Sequence, residues 1–465
     1  MAYVVRFAQL CLPGLLLATA MVTAACASSA GESDLASLNP TRAPAPTASG
    51  PTPVPGPGVT ASLITIGMTN DMAGKGDTPY AAVTLAMQAY FRKVNAEDSG
   101  ACGRTIALIT EDDGYSPASA LDKTKKLVEQ TGVLAMIGGI STDEQLLTGP
   151  YLNDPNADGN TADGVPDLFV SSGATAFGDA TRFPWTIDYA PDYVTDGAVL
   201  GRYASANLAG KKLAILYPDS DFGKDYLAGF VAGLADHTQL VSTEAYAADA
   251  VNANDRINLI KSANADAVLL ATPPEMTASA ITYAASIQYA PQWLLSYTSA
   301  PSTLASQLGG GSSADKLLLG FQMLHGAIST AHLLSPVADQ DSPAIQEHHR
   351  IMQTYQGPPL STLSVYGQSI AEAIVAVLRS SCNNLTRPGL MQAAESLTSF
   401  RSSLMLPGIT LTLSHTDHRA IQSLQPVKIN VDGSVIADGA VISAEDMAAP
   451  TPASGSLTAT PHRLN

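Results

Sequence analysis

Val165-Pro166-Asp167-Leu168-Phe169-Val170-Ser171-Ser172-Gly173-Ala174-Thr175 decides how the chain is read. Its apolar run, Leu168–Ser171, is short and continuous rather than alternating. That suits a strand covered on both faces, as in a parallel sheet. Working outward, similar runs stand at Leu63–Met68, Thr105–Thr110, Val133–Ile137, Lys212–Tyr217, Ala267–Ala271, Trp293–Tyr297 and Leu317–Phe321. Helical periodicity fills the intervals. Val83, Met87, Tyr90, Phe91 and Val94 recur every three or four residues, and Tyr366–Leu378 places Ile370, Ile374 and Leu378 on one stripe. Ser116-Pro117 reads as an N-cap followed by Pro at the first helical position, with Leu121 and Val128 continuing that helix. Strand–helix alternation predicts doubly wound α/β sheets. The stretch from 62 to 446 is too long for one such sheet, so two lobes are expected, with a cleft beyond the strand C-termini.

The chain has 465 residues, with 24 Lys+Arg against 41 Asp+Glu and a net charge of −17. Nucleic acid is a poor partner, because phosphate binding rests on clustered Lys and Arg. Hydrophobic residues make up 46%, enough for a sizeable core, and charged residues 14%, low for a cytoplasmic enzyme.

The N-terminus reads as a targeting segment. Arg6 precedes an apolar stretch from Leu10 to Val22, shorter than the roughly 20 residues of a membrane span. Val22-Thr23-Ala24-Ala25-Cys26 resembles a bacterial lipobox, with Thr23 where Leu is usual. Residues 1–25 would then be a lipoprotein signal and Cys26 the lipidated first residue; an ordinary secretory signal is the alternative. Residues 26–61, rich in Pro, Ser, Thr and Ala, read as a tether, and 448–465 as a disordered tail. Cys102 and Cys382 remain in the folded part. In an oxidising compartment they form one disulfide or stay as two free thiols.

A family resemblance rests on a succession of motifs: Glu111-Asp112-Asp113-Gly114-Tyr115-Ser116-Pro117, Lys126-Leu127-Val128, Met136-Ile137-Gly138-Gly139, the Val165–Thr175 segment, Phe183-Pro184-Trp185-Thr186 and Asp221-Phe222-Gly223-Lys224-Asp225-Tyr226. In this order the chain resembles the type I periplasmic binding proteins of the branched-chain amino-acid transport group, over residues 62 to 435. The resemblance implies an α/β fold of two Rossmann-like lobes joined by three hinge crossovers. These fall near Tyr189–Asp192, Gln322–Gly326 and His418–Leu424. Lobe one is then 62–189 plus 326–418, and lobe two 192–322 plus 424–446.

It also implies an exported solute-binding protein rather than an enzyme. The expected partners are a small amino acid or organic or aromatic acid, an ABC permease with its ATPase, and a membrane reached through the lipid anchor, with the protein a monomer. A ligand sensor of the same fold is the alternative. Ser141, Thr142, Gly173, Ala174 and Thr175 of lobe one match the positions that hold the ligand's polar head. A buried carboxylate needs several donors, and helix N-termini supply them. Phe222 matches the aromatic lid of lobe two, with Thr272 and Thr298 at two further cleft positions. Thr298 stands where the branched-chain amino-acid binders place a Glu for the ligand's ammonium. Either another acid substitutes, with Glu275 or Asp143 as candidates, or the ligand has no ammonium.

One segment stands apart. Asp154, Asn156 and Asp158 alternate before a turn Gly159, as in the first half of an EF-hand calcium loop, with Asn160, Asp163 and Asp167 as further oxygens. Val165 occupies the twelfth position, where Glu is usual. A structural calcium ion and a solvated acidic turn are the two readings; no other cofactor is expected. The sequence has no G-x-S-x-G, no Walker loop, no H-E-x-x-H and no C-x-x-C.

Overall fold

A computed structural model describes residues 55–73, 79–247, 249–299 and 301–445. The signal segment, Cys26 and the tail lie outside the described residues. The end of the segment read as tether does not: the Gly56 N–H donates to Leu385 O at 2.8 Å, and Val59 bridges Ile64, so residues 55–61 are docked on the body.

The chain begins β1 (Leu63–Asn70), α1 (Ala81–Glu97), β2 (Thr105–Asp112), α2 (Pro117–Lys125), β3 (Met136–Ile137), α3 (Thr142–Asn153), β4 (Asp167–Val170) and β5 (Thr186–Asp188). These strands form a parallel sheet in the order β2-β1-β3-β4-β5. Then follow α4 (Tyr193–Asn207), β6 (Lys212–Pro218), α5 (Asp221–Gly233), β7 (Gln239–Tyr246), α6 (Asn254–Ser262), β8 (Ala267–Leu270), α7 (Pro274–Ser286), β9 (Gln292–Leu295), α8 (Pro301–Gly309), α9 (Ala314–Leu324) and β10 (Ile328–Ala331). The chain then returns to the first lobe with α10 (Pro343–Thr354), α11 (Thr362–Ser380) and α12 (Arg387–Glu395). It ends in β11 (Ser423–Ile429), β12 (Val435–Ala437) and β13 (Ile442–Ser443). The second sheet runs β12-β11-β10-β9-β8-β6-β7, with β13 on β11. Its centre is parallel, and β11 makes the edge antiparallel.

Two expectations are corrected. Leu317–Phe321 is not a strand but part of α9. Its buried residues, Gly320 and Leu324, are four apart, while Leu318 and Leu319 face solvent. A short apolar run carries no period of its own, and here the helical one wins. The strand belongs instead to Ile328–Ala331, paired with β9 and β11. The second crossover therefore follows Ala331 and does not lie at Gln322–Gly326.

In lobe one, Ile64, Ile66 and Met68 of β1 pack with Met87 and Phe91 of α1 and Ile370 and Ile374 of α11. Cys102 and Cys382 form a disulfide across the two sequence segments of this lobe. In lobe two, α4 and α5 touch through their backbones. A Cβ at Gly229 would lie 2.1 Å from Val194 O, and one at Gly201 2.4 Å from Phe230 O. Gly229→Ala should therefore lower the unfolding free energy by about 1–3 kcal/mol, the usual cost of overpacking. An unchanged denaturation midpoint would show that the helices separate freely. Among the described residues no helix is long and apolar enough to cross a membrane.

Candidate ligand site

The C-terminal ends of β3 and β4 bring the first group of expected residues together. Ser141 caps α3 by accepting from the Glu144 N–H at 3.4 Å, at a positive φ of 87°. The Thr142 hydroxyl lies 2.7 Å from that of Ser172 and 3.4 Å from that of Tyr193. Gly173 is required: a Cβ there would lie 2.3 Å from Tyr193 Cε1 and 2.8 Å from Tyr297 Oη. Its carbonyl accepts from the Tyr193 N–H at 2.7 Å. The Ala174 N–H donates to Ser172 Oγ at 3.2 Å. The Thr175 N–H and hydroxyl both donate to Asp225 Oδ2, at 3.2 and 2.9 Å.

Asp225 lies on α5, and Tyr193, Phe222 and Tyr297 also come from lobe two. The rim of lobe one thus meets lobe two directly at 142, 173 and 175. Phe222 stands edge-on to Tyr193 at 4.7 Å and to Tyr226 at 5.1 Å. Tyr297 donates to Pro191 O in the first crossover at 2.9 Å. Behind it, at the second crossover, His332 is buried among the rings of Tyr189, Tyr297 and Tyr366. Burial lowers its imidazole to about 4, so it is neutral at pH 7.

Other expected residues pair within lobe two or stand exposed. Thr272 is fully buried with its hydroxyl 2.6 Å from that of Thr277, a turn inside lobe two. Thr298 pairs with Ser296 at 2.7 Å. Glu275 accepts from Gln307 at 3.3 Å, and Asp143 is exposed.

The 154–163 loop is laced by its own amides. Asp154 accepts from the N–H groups of Asp158 and Gly159, Asn156 from Asp158, Asp158 from Asn160, and Asn160 from Ala162. The Asn156 side-chain amide donates to Asp163 at 2.8 Å. Asp167 does not join it: it is buried at the start of β4, beside Met136 and Thr186. No group of three or more His, Cys, Asp or Glu among the described residues could hold a metal ion.

The acids near the rim were not singled out from the sequence. Asp188, at the end of β5, is fully buried, and no group among the described residues hydrogen-bonds either of its oxygens. Burial first, and the Asp192 carboxylate second, push it well above the ordinary carboxylate range. Asp192 caps α4 by accepting from the Thr195 N–H at 2.5 Å, with Arg419 at 3.9 Å. Burial raises Asp225 to about 6. Glu144, at the start of α3, is raised to about 8 by burial and then by Asp113, Asp71 and Asp143. Asp225 stood inside a quoted motif, so its neighbourhood could have flagged it. Asp188 gave no local signal, since only the tertiary fold brings Tyr193, Tyr297 and Tyr366 around it.

The fold has counterparts among known proteins. The family model for periplasmic binding protein matches residues 63–435. Among solved structures, a possible leucine/isoleucine/valine-binding protein from Rhodopirellula baltica SH 1 superposes with a TM-score of 0.66 at 22% identity, covering 82% of this chain and 97% of the other. A fatty acid ABC transporter substrate-binding protein from Thermomonospora curvata gives 0.67 at 23%, covering 84% and 95%. A branched-chain amino acid ABC transporter structure from Thermus thermophilus with bound valine gives 0.67 at 15%, covering 83% and 98%. Comparison with curated proteins finds no match.

Proposed function

The chain belongs to the periplasmic binding protein family, whose members bind solutes rather than transform them, and from that premise we propose that it captures an amino acid or a related small carboxylate or amide between its two lobes. It then delivers the solute to an ABC permease with its ATPase, from outside the cytoplasmic membrane, held there by a lipid on Cys26. The observation that carries this reading is the meeting of the 141–142 and 173–175 turns with Tyr193, Phe222 and Tyr297 across the lobes. A solute entering there touches both lobes, so it favours the closed state by its contacts in that state. The valine-bound and fatty-acid transport neighbours support a small organic solute without choosing one.

A thermal-shift screen of the purified protein against amino acids, aromatic acids and short amides tests it. A solute at a hundredfold excess over its dissociation constant should add about 2.7 kcal/mol to the stability of the native state. A screen in which no solute moves the melt, or in which a solute is consumed, would overturn the reading.

A further inference from the structure

Lobe two reaches the rim of lobe one with two polar side chains of its own. Asp225 of α5 takes both donors of Thr175: its Oδ2 accepts from the N–H at 3.2 Å and from the hydroxyl at 2.9 Å. Burial raises this carboxyl to about 6, so at pH 7 it is mostly ionised and both bonds are charge-assisted. Tyr193, the first residue of α4, takes neighbouring donors. Its phenol oxygen lies 3.4 Å from the Thr142 hydroxyl, and the Ser172 hydroxyl and the Gly173 N–H also face it.

Both side chains are firmly placed. The Tyr193 ring stacks on Tyr226 at 5.3 Å and stands edge-on to Phe222 at 4.7 Å, and both of those residues lie on α5 with Asp225. The backbones of α4 and α5 touch at Gly229, so the two polar groups reach lobe one together. Opposite them the 173 turn leaves no gap. A Cβ on Gly173 would lie 2.3 Å from Tyr193 Cε1 and 2.8 Å from Tyr297 Oη. A solute cannot pass between these surfaces while the contacts hold.

We infer that Asp225, with Tyr193 beside it, is a latch that holds the two lobes together without a solute, by taking rim donors that a solute's polar head would otherwise use. The latch stands on the contacts alone; the competition with a solute rests on the rim being the solute site. Asp225 is then a positioning residue, acting through the closure it sets. Apparent affinity falls with the fraction of protein in the binding-competent state, so the latch lowers affinity and its loss raises it. A hydrogen bond to a charged group is worth about tenfold or more in an equilibrium.

Small-angle X-ray scattering of the protein without solute tests the latch by itself. The unaltered protein should scatter as the form with its lobes together. Asp225→Ala should increase the radius of gyration. Sodium acetate, which supplies a carboxylate of the size removed, should reverse that increase, and sodium chloride at equal ionic strength should not. Asp225→Asn keeps the shape and removes the charge; it should open the protein less, and it decides the matter if the alanine variant fails to fold. Lobes already parted in the unaltered protein, scattering that neither substitution changes, or an opening that chloride reverses as well as acetate does, would overturn the latch. A merely structural Asp225 would lower the melting temperature and leave the radius as it was. In the panel of amino acids, aromatic acids and short amides, any member that binds the unaltered protein should bind Asp225→Ala about tenfold more tightly. Weaker binding to the variant would make Asp225 a solute contact and end the competition. A panel without a binder removes the solute reading and leaves the latch to be judged by the scattering.

Discussion

Replacing Cys102 and Cys382 by serine should lower the unfolding free energy by about 2–5 kcal/mol, the largest effect expected of any change considered. The two residues are 280 apart in sequence. Cys102 sits in the turn before β2, and Cys382 follows α11. The bond therefore ties together the two stretches of chain that build lobe one, across the whole excursion through lobe two. In the chain-entropy picture, a closed loop of this size removes roughly 5.6 kcal/mol of freedom from the unfolded state. Packing of α11 on α1 restores part of that order without the bond, which keeps the expectation to the observed range. Denaturant unfolding of the double variant, and of the unaltered protein under reductant, should show the same loss. A loss below about 1 kcal/mol would mean that packing alone closes lobe one.

The second large effect is a loss of stability as pH rises above neutrality. Burial raises Glu144 to about 8 and Asp167 to about 7 in the folded state. An acid raised in this way holds its proton longer when folded than when unfolded. Between its unfolded and folded values the native state binds more protons, so stability falls as pH climbs through that interval. His332 acts in the opposite direction. Lowered to about 4, it is neutral when folded and protonated when unfolded, so between about 4 and 6.5 it adds stability as pH rises. The clean window is therefore pH 6.5 to 8. Across it Glu144 alone should cost about 2 kcal/mol, at 1.36 kcal/mol per pH unit, and Asp167 less than 1 kcal/mol. Glu144→Gln should remove the share of that slope due to Glu144, leaving those of Asp167 and of the buried Asp188, and raise the melting temperature at pH 8, with little change near pH 4. A slope undiminished in the variant would place the proton elsewhere.

The strands best read from sequence were those whose apolar runs are continuous. β1, β6 and β8 lie inside their sheets and are covered on both faces, so composition alone marks them. β7 escaped notice because it is an edge strand. Its burial alternates along Gln239–Tyr246, and the continuous-run criterion passes over alternation. β11 was hidden by Pro426, which ordinarily argues against an internal strand. The misread run at Leu317–Phe321 shows the converse hazard, an apolar cluster belonging to a helix. Of the site, the turns at 141–142 and 173–175 were legible because motif order fixed their register. The acids and tyrosines facing them were not, because Asp188, Tyr193, Tyr297 and Tyr366 come from four separate elements that only the tertiary fold brings together. Motif order placed Thr272 without its partner: its hydroxyl stands 2.6 Å from that of Thr277, a contact that only the tertiary fold reveals.

The central claim is that the solute lies between the lobes, bounded by the 141–142 and 173–175 turns on one side and by Phe222 and Tyr297 on the other. A crystal structure of the protein with its best thermal-shift ligand tests this most directly. Ligand density within contact distance of Gly173 and Phe222 together is the expected result. Density confined to one lobe, such as the cavity of about 210 Å³ lined by Gly56, Trp185 and Arg387, would contradict it.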